Sequence, residues 1–179
     1  TASLVGPHFP NSNPEPFYIM YDQVDIPMPK SMYDTFQNKP WYQSRKWWPS
    51  IDTEYFDEHE WEKTIRAYYG SISLMDYFIG QILESVMITD VSDLRLEKAK
   101  ECSGGRKTIV IFTSDHGEML GNHGKFDKHA YCYEDVIRTP LLVCPDLKGE
   151  QEKNVCANNC NTLDIAQTFF ELAGCKCKN

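Results

Sequence analysis

The chain has no long hydrophobic run, no surplus of positive charge, no internal repeat and no low-complexity tract. Without an apolar stretch near the roughly 20 residues that a spanning helix needs, we expect no membrane partner. The 26 acidic residues outnumber the 18 basic ones, for a net charge of −8. A nucleic-acid surface needs the opposite balance, so nucleic acid is not an expected partner. Seven cysteines cannot all pair within one chain. Cys156, Cys160, Cys175 and Cys177 stand as C-x3-C and C-x-C pairs, a spacing outside the common structural zinc patterns. Free thiols or a local disulfide are the expectation there, while Cys144 ends an apolar run and reads as a small buried hydrophobe.

What is present is enough for one sizeable core: 179 residues, of which 41% are hydrophobic. The organising stretch runs from Thr108 to Leu142. It opens with a β-branched apolar run, Thr108 to Thr113, that predicts a buried strand. Ser114, Asp115, His116 and Gly117 follow where that strand would end. Ligands in open α/β sheets bind beyond the carboxyl ends of strands. An Asp-His pair at such an edge offers a hard oxygen and an imidazole to a metal or an anion. Gly117, Gly121 and Gly124 allow the next loop to fold back, and it carries His123, Lys128 and His129 in quick succession. This set suits a multiply charged oxyanion.

The segments around it read as follows. Residues 1 to 56 form a proline- and aromatic-rich arm, in which Thr1 to Val5 look like the tail of a strand. Eight of the ten prolines fall in this arm, and each fixes φ and removes a donor, so long regular structure is not expected. Trp41, Arg45, Lys46, Trp47 and Trp48 could make a platform for an anionic sugar, or simply pack the arm on the core. Residues 57 to 87 carry the clearest helix, with an apolar stripe through Ile65, Tyr68, Tyr69, Ile72, Met75, Ile79 and Ile82. Residues 88 to 106 read as a polar surface connection. A short helix over Ala130 to Val136 and a second buried strand over Pro140 to Cys144 would complete a parallel strand–crossover–strand unit spanning 108 to 144. An internal carboxylate such as Glu134 is the expected partner of Arg138. A final helix over 162 to 173 would be capped by Thr162 and closed by Gly174.

Three stretches together carry a resemblance. TSDHGEMLGNHGKFDKHAYCYEDVIRTPLLV is similar to the second metal-binding segment of the sulfatase family, within the alkaline-phosphatase superfamily. GPHFP, followed by PEPFYIMYDQVDIPMP, resembles the arm of the same family, and LDIAQTFFELAG resembles its closing helix. The resemblance implies a partial α/β fold of the alkaline-phosphatase/sulfatase kind, a mainly parallel sheet flanked by helices with the long N-terminal arm. It implies metal ligation by Asp115 and His116, with Ca2+ the first expectation and Mg2+ the second. It assigns sulfate binding and leaving-group stabilisation to Lys128 and His8, with His123 as a further catalytic candidate and His129 as a rival in register for Lys128. The substrate would be a sulfated small molecule or carbohydrate.

The family nucleophile, a formylglycine made within C/S-x-P-S/A-x-R, has no counterpart here. Ser12-Asn13-Pro14 begins such a pattern, and Glu15 and Phe17 break it. The family's N-terminal Asp-Asp metal pair is also missing. The expectation is therefore the C-terminal portion of a sulfatase catalytic domain, inactive alone and prone to association through a truncated sheet edge. A phosphonate or phosphodiester hydrolase of the same superfamily, and a binding module that keeps the fold without catalysis, are the alternatives.

Overall fold

The computed structural model describes residues 1–45, 53–85, 109–145 and 154–175. They fall into two compact units, Thr1–Lys107 with His116–Thr139, and Thr108–Asp115 with Pro140–Asn179.

The first unit is built on helix α2, Glu58–Ser85. Helix α1 is the single turn Trp41–Ser44 in the arm, and a 3-10 turn, Thr53–Tyr55, leads into α2. Asp57 starts α2 by accepting the Glu60 amide at 2.9 Å, which satisfies one of the donors a helix start leaves open. Glu58 and Glu60 add the acidic charge that the positive end of the dipole favours. Val86 and Met87, the end of the expected helix, lie outside the described residues. Trp61 and Ile65, one turn apart, are buried.

The arm runs against the helix where two small residues let it approach. A Cβ on Gly70 would stand 2.5 Å from the Phe17 carbonyl oxygen, so only glycine fits. Beside it the Ser71 hydroxyl donates to Asn13 Oδ1 at 2.8 Å, and the Asn13 amide donates to the Ala67 carbonyl at 2.7 Å. Side-chain amides thus do for this turn-rich arm what a ladder does for a strand. Thr1 to Val5, expected as the tail of a strand, are not strand.

The second unit contains strands β1, Val110–Thr113, and β2, Leu141–Cys144. They pair antiparallel, Val110 opposite Cys144 and Thr113 opposite Leu141. This corrects the parallel crossover expected from the sequence. Parallel pairing needs a long crossover element, and the helix between these strands, α3 at Glu134–Ile137, is a single turn. Thr113 reinforces the pair by donating its hydroxyl to the Pro140 carbonyl at 2.9 Å. The strands were also expected to be buried. Leu142 and Val143 are instead 61% and 55% exposed, and Cys144 is half-buried.

Helix α4, Thr162–Leu172, ends the described chain. Its cap is Asn161, one residue before the expected Thr162: Asn161 Oδ1 accepts the Leu163 amide at 2.8 Å, and Asp164 Oδ2 accepts the Asn161 amide at 2.8 Å. That reciprocal box satisfies two donors at once. Gly174 closes the helix at φ +70°, with Cys175 N–H donating to the Phe170 carbonyl and Gly174 N–H to that of Glu171.

Candidate functional site

The loop that carries Lys128 begins at His116 and needs its glycine at once. Gly117 N–H donates to the Val136 carbonyl at 2.7 Å, and Glu118 N–H to that of Asp135 at 3.0 Å. A Cβ on Gly117 would meet the Asp135 carbonyl oxygen at 2.0 Å. The loop then turns through left-handed backbone at Leu120, Gly121, His123, Gly124, Asp127 and His129. For the non-glycine residues such φ values are uncommon and persist where the surroundings fix them.

Two buried groups do that from inside. Met119 is fully buried against Tyr131 and Val136. The Glu118 carboxylate accepts the backbone amides of Leu120 and Asp127, and its removal from water pushes its pKa up. The same burial, with the Glu118 charge, raises Tyr68 on α2 to about 12.

Lys128 stands between two partners. Its amide donates to Asp127 Oδ1 at 2.8 Å and its ammonium lies 3.2 Å from the same oxygen. His129 Nε2 approaches the other carboxylate oxygen at 3.2 Å. Burial would raise the Asp127 pKa, but the hydrogen bonds and charge of Lys128 outweigh it and hold the carboxyl below its usual range. Lys128 Nζ also contacts His8 Nε2, across 120 positions of sequence. His8 Nδ1 lies 2.8 Å from the Phe9 carbonyl oxygen, which can only accept. The proton therefore sits on Nδ1, and Nε2 receives the lysine ammonium. Of the residues expected to bind sulfate, these two are brought together. Phe9, whose ring stacks on that of His8, also walls a shallow apolar recess of about 300 Å³ together with Phe56 and Phe126.

His123 meets a different set. Its Nδ1 donates to Asp34 Oδ2 at 2.6 Å, and its ring stacks on Tyr133 at 3.9 Å between centroids. Lys39 binds the same Asp34 carboxylate. Its hydrogen bond, before any other cause, holds the Asp34 carboxyl well below the carboxylate range. Nothing in the sequence pattern marks Asp34 or Lys39, which lie in an arm full of polar residues. Arg138 and Glu134 approach to 3.8 Å as a surface pair.

The expected metal ligands are consecutive in the chain. Asp115 follows β1, exposed, with the Ser114 hydroxyl 3.5 Å from Oδ1. His116 Nδ1 donates to the Gly117 carbonyl at 2.9 Å, the tautomer that places a lone pair on Nε2 for ligation. A hard carboxylate and a neutral imidazole are apt donors for a divalent cation. Among the described residues no cluster of three or more His, Cys, Asp or Glu side chains forms a cage. Cys132, Cys144, Cys156, Cys160 and Cys175 are free thiols; Cys102 and Cys177 lie outside the described residues. In the aromatic platform, the Arg45 guanidinium lies 5.0 Å from the Trp41 ring centre, while Lys46, Trp47 and Trp48 lie outside the described residues, as does the 88 to 106 connection.

A family-wide sequence profile described as Sulfatase matches residues 1–175. The chain belongs to the sulfatase family. It is 30% identical over 173 residues to a sulfatase of Formosa agariphila, covering 94% of this chain and 31% of that protein. It is 29% identical to an arylsulfatase of Clostridium perfringens, covering 96% and 33%, and 26% identical to a choline-sulfatase of Rhizobium meliloti, covering 97% and 31%. The chain thus spans about a third of the length of these curated relatives. Among solved structures, a protein in complex with its substrate D-glucosamine-2-N,6-O-disulfate shares the fold, with a TM-score of 0.71 at 18% identity over 97% of this chain and 44% of that one. Within the described residues, no helix is long and apolar enough to cross a membrane.

Proposed function

We propose that this chain supplies the sulfate-binding lysine and histidine, and two metal ligands, to the hydrolysis of a sulfate ester. The supporting observation is the pairing of Lys128 with His8 inside a chain of the sulfatase family. The ammonium that donates to His8 Nε2 can turn that hydrogen bond to a sulfate oxygen when an ester arrives. His8, keeping its Nδ1 proton on the Phe9 carbonyl, can take a proton from solvent on Nε2 and deliver it to the ester oxygen as the attacking group displaces that oxygen and the S–O bond breaks, so that it leaves as an alcohol. Both groups stand together before an ester arrives, so the donors need not be gathered from separate parts of the chain as charge develops. Asp115 and His116 would hold a divalent cation, Ca2+ first and Mg2+ second, and the bound ion would polarise a sulfate oxygen.

The attacking group lies outside these 179 residues, since no C/S-x-P-S/A-x-R pattern occurs among them. Covalent catalysis cannot start without it, so the chain alone should bind sulfate without turning over its esters. A chromogenic sulfate ester, incubated with the purified chain and Ca2+ or Mg2+, should stay intact. Turnover abolished by Asp115→Ala would overturn the separation of nucleophile and binding residues. Inorganic sulfate titrated into the chain should bind, and Lys128→Ala should weaken it about tenfold, as loss of a charged hydrogen bond does; equal affinity would overturn the assignment of Lys128. In a protein that carries the nucleophile, Asp115→Asn should reduce activity far more than Cys156→Ser.

A further inference from the structure

We propose that His123 is a positioning residue: held by Asp34 and Tyr133, it latches the arm onto the lysine loop and so presents Lys128 to His8. This rests on the sulfate-binding reading of Lys128 and His8. The loop cannot hold its shape by local preference. His123 itself sits at φ 55°, a conformation that costs a histidine energy unless other contacts fix it. Those contacts come from the arm. Asp34 accepts from His123 Nδ1, the Ser31 hydroxyl oxygen accepts the His123 amide at 3.2 Å, and the same hydroxyl donates to Asn122 Oδ1 at 2.9 Å.

The latch is closed on its other sides as well. Tyr133 covers one face of the imidazole, and Tyr133 in turn donates its hydroxyl to Gln43 Oε1 at 3.2 Å. Lys39 holds the Asp34 carboxylate while lying 5.3 Å from the Tyr133 ring centre. With Nδ1 committed to Asp34 and one face committed to Tyr133, the ring is used up by fixing backbone. His8 belongs to the same arm as Asp34, so a slip of the arm along the loop separates His8 from Lys128. A misplacement of about 1 Å is enough to cost a bound group much of its effect.

The test separates the two things His123 does. Asparagine tolerates left-handed backbone and can donate its amide to Asp34; glycine tolerates the backbone and has no donor; alanine has neither. Inorganic sulfate affinity should follow His123→Asn close to the parent, His123→Gly weakened, and His123→Ala weakened most, by about tenfold. Asp34→Ala should match His123→Gly, and the double variant should add nothing further. A histidine that touched sulfate directly would leave the Asn variant as damaged as the Gly one, and that result would overturn the latch.

A second readout needs no sulfate. The nuclear Overhauser contact between Lys128 Hε and the His8 ring should persist in His123→Asn and fade in His123→Ala and Asp34→Ala. Its persistence in all three would also overturn the proposal. If Lys128→Ala leaves sulfate affinity unchanged while these contacts respond as stated, the sulfate reading fails and the latch stands. If Lys128→Ala weakens sulfate and the Asp34 and His123 variants do not, the latch alone fails.

Discussion

The two units of this chain spend similar sequence on opposite outcomes. In the first, Trp61, Ile65, Met119, Tyr131 and Val136 are buried, and even Lys125 and Asp127 are nearly out of water. In the second, none of the described residues is buried. Its helix α4 nonetheless has the better local design, with a reciprocal capping box and a glycine closure. Leu163, Phe169, Phe170 and Leu172 on it are all more than half or about half exposed. Caps and propensity decide that a helix forms, and burial decides what removing a side chain costs.

Cavity formation gives the largest expected contrast. Met119→Ala should destabilise by about 2–5 kcal/mol, the usual range for emptying a filled core position. Phe170→Ala on α4 should change stability by no more than about 0.5 kcal/mol, as at other surface positions. Urea unfolding of both variants measures this, and equal losses would mean that the second unit is packed after all.

Glycine replacement sharpens the same contrast. Gly117→Ala drives a Cβ into the Asp135 carbonyl oxygen, 2.0 Å away, and should cost about 2 kcal/mol or more because backbone must move. Gly174 has open space around its would-be Cβ but φ +70°, so Gly174→Ala should cost about 1 kcal/mol of strain. Thermal unfolding midpoints should rank the pair in that order.

Acid should loosen the first unit through Asp34. Its carboxyl titrates below the ordinary value when folded, so it contributes stability above the ordinary carboxylate pKa and loses it as pH falls through the folded value. The melting temperature of Asp34→Asn should therefore lie below that of the parent at neutral pH, with the gap closing below about pH 4. A gap that widened in acid would contradict the lysine-paired carboxylate.

The most local effect is expected at the cap of α4. Asn161→Ala removes the cap and should cost that helix about 1 kcal/mol, seen as faster amide exchange at Leu163 and Asp164 while Met119 is unchanged. Faster exchange at Met119 as well would mean that the cap acts beyond its own helix.

The sequence pattern was legible wherever the signal was local. The apolar stripe and acidic start of α2, the β-branched run of β1 and the glycine that closes α4 each act within a few residues. The Asp-His-Gly and Gly-x-His-Gly residues were legible through resemblance. Long-range pairing was not. Asn13 against Ala67 and Asp34 against His123 join residues 54 and 89 positions apart, and one arm asparagine or aspartate looks like the next until the chain is folded.

By itself, then, the sequence determined where α2, β1, β2 and α4 form and to which family the chain belongs, since backbone preference and motif residues are carried residue by residue. The tertiary structure decided that β1 and β2 run antiparallel, that Lys128 faces His8, and that His123 is spent on Asp34 and Tyr133. These depend on which distant groups share a neighbourhood, and a hydrogen bond has no meaning until both of its ends are placed.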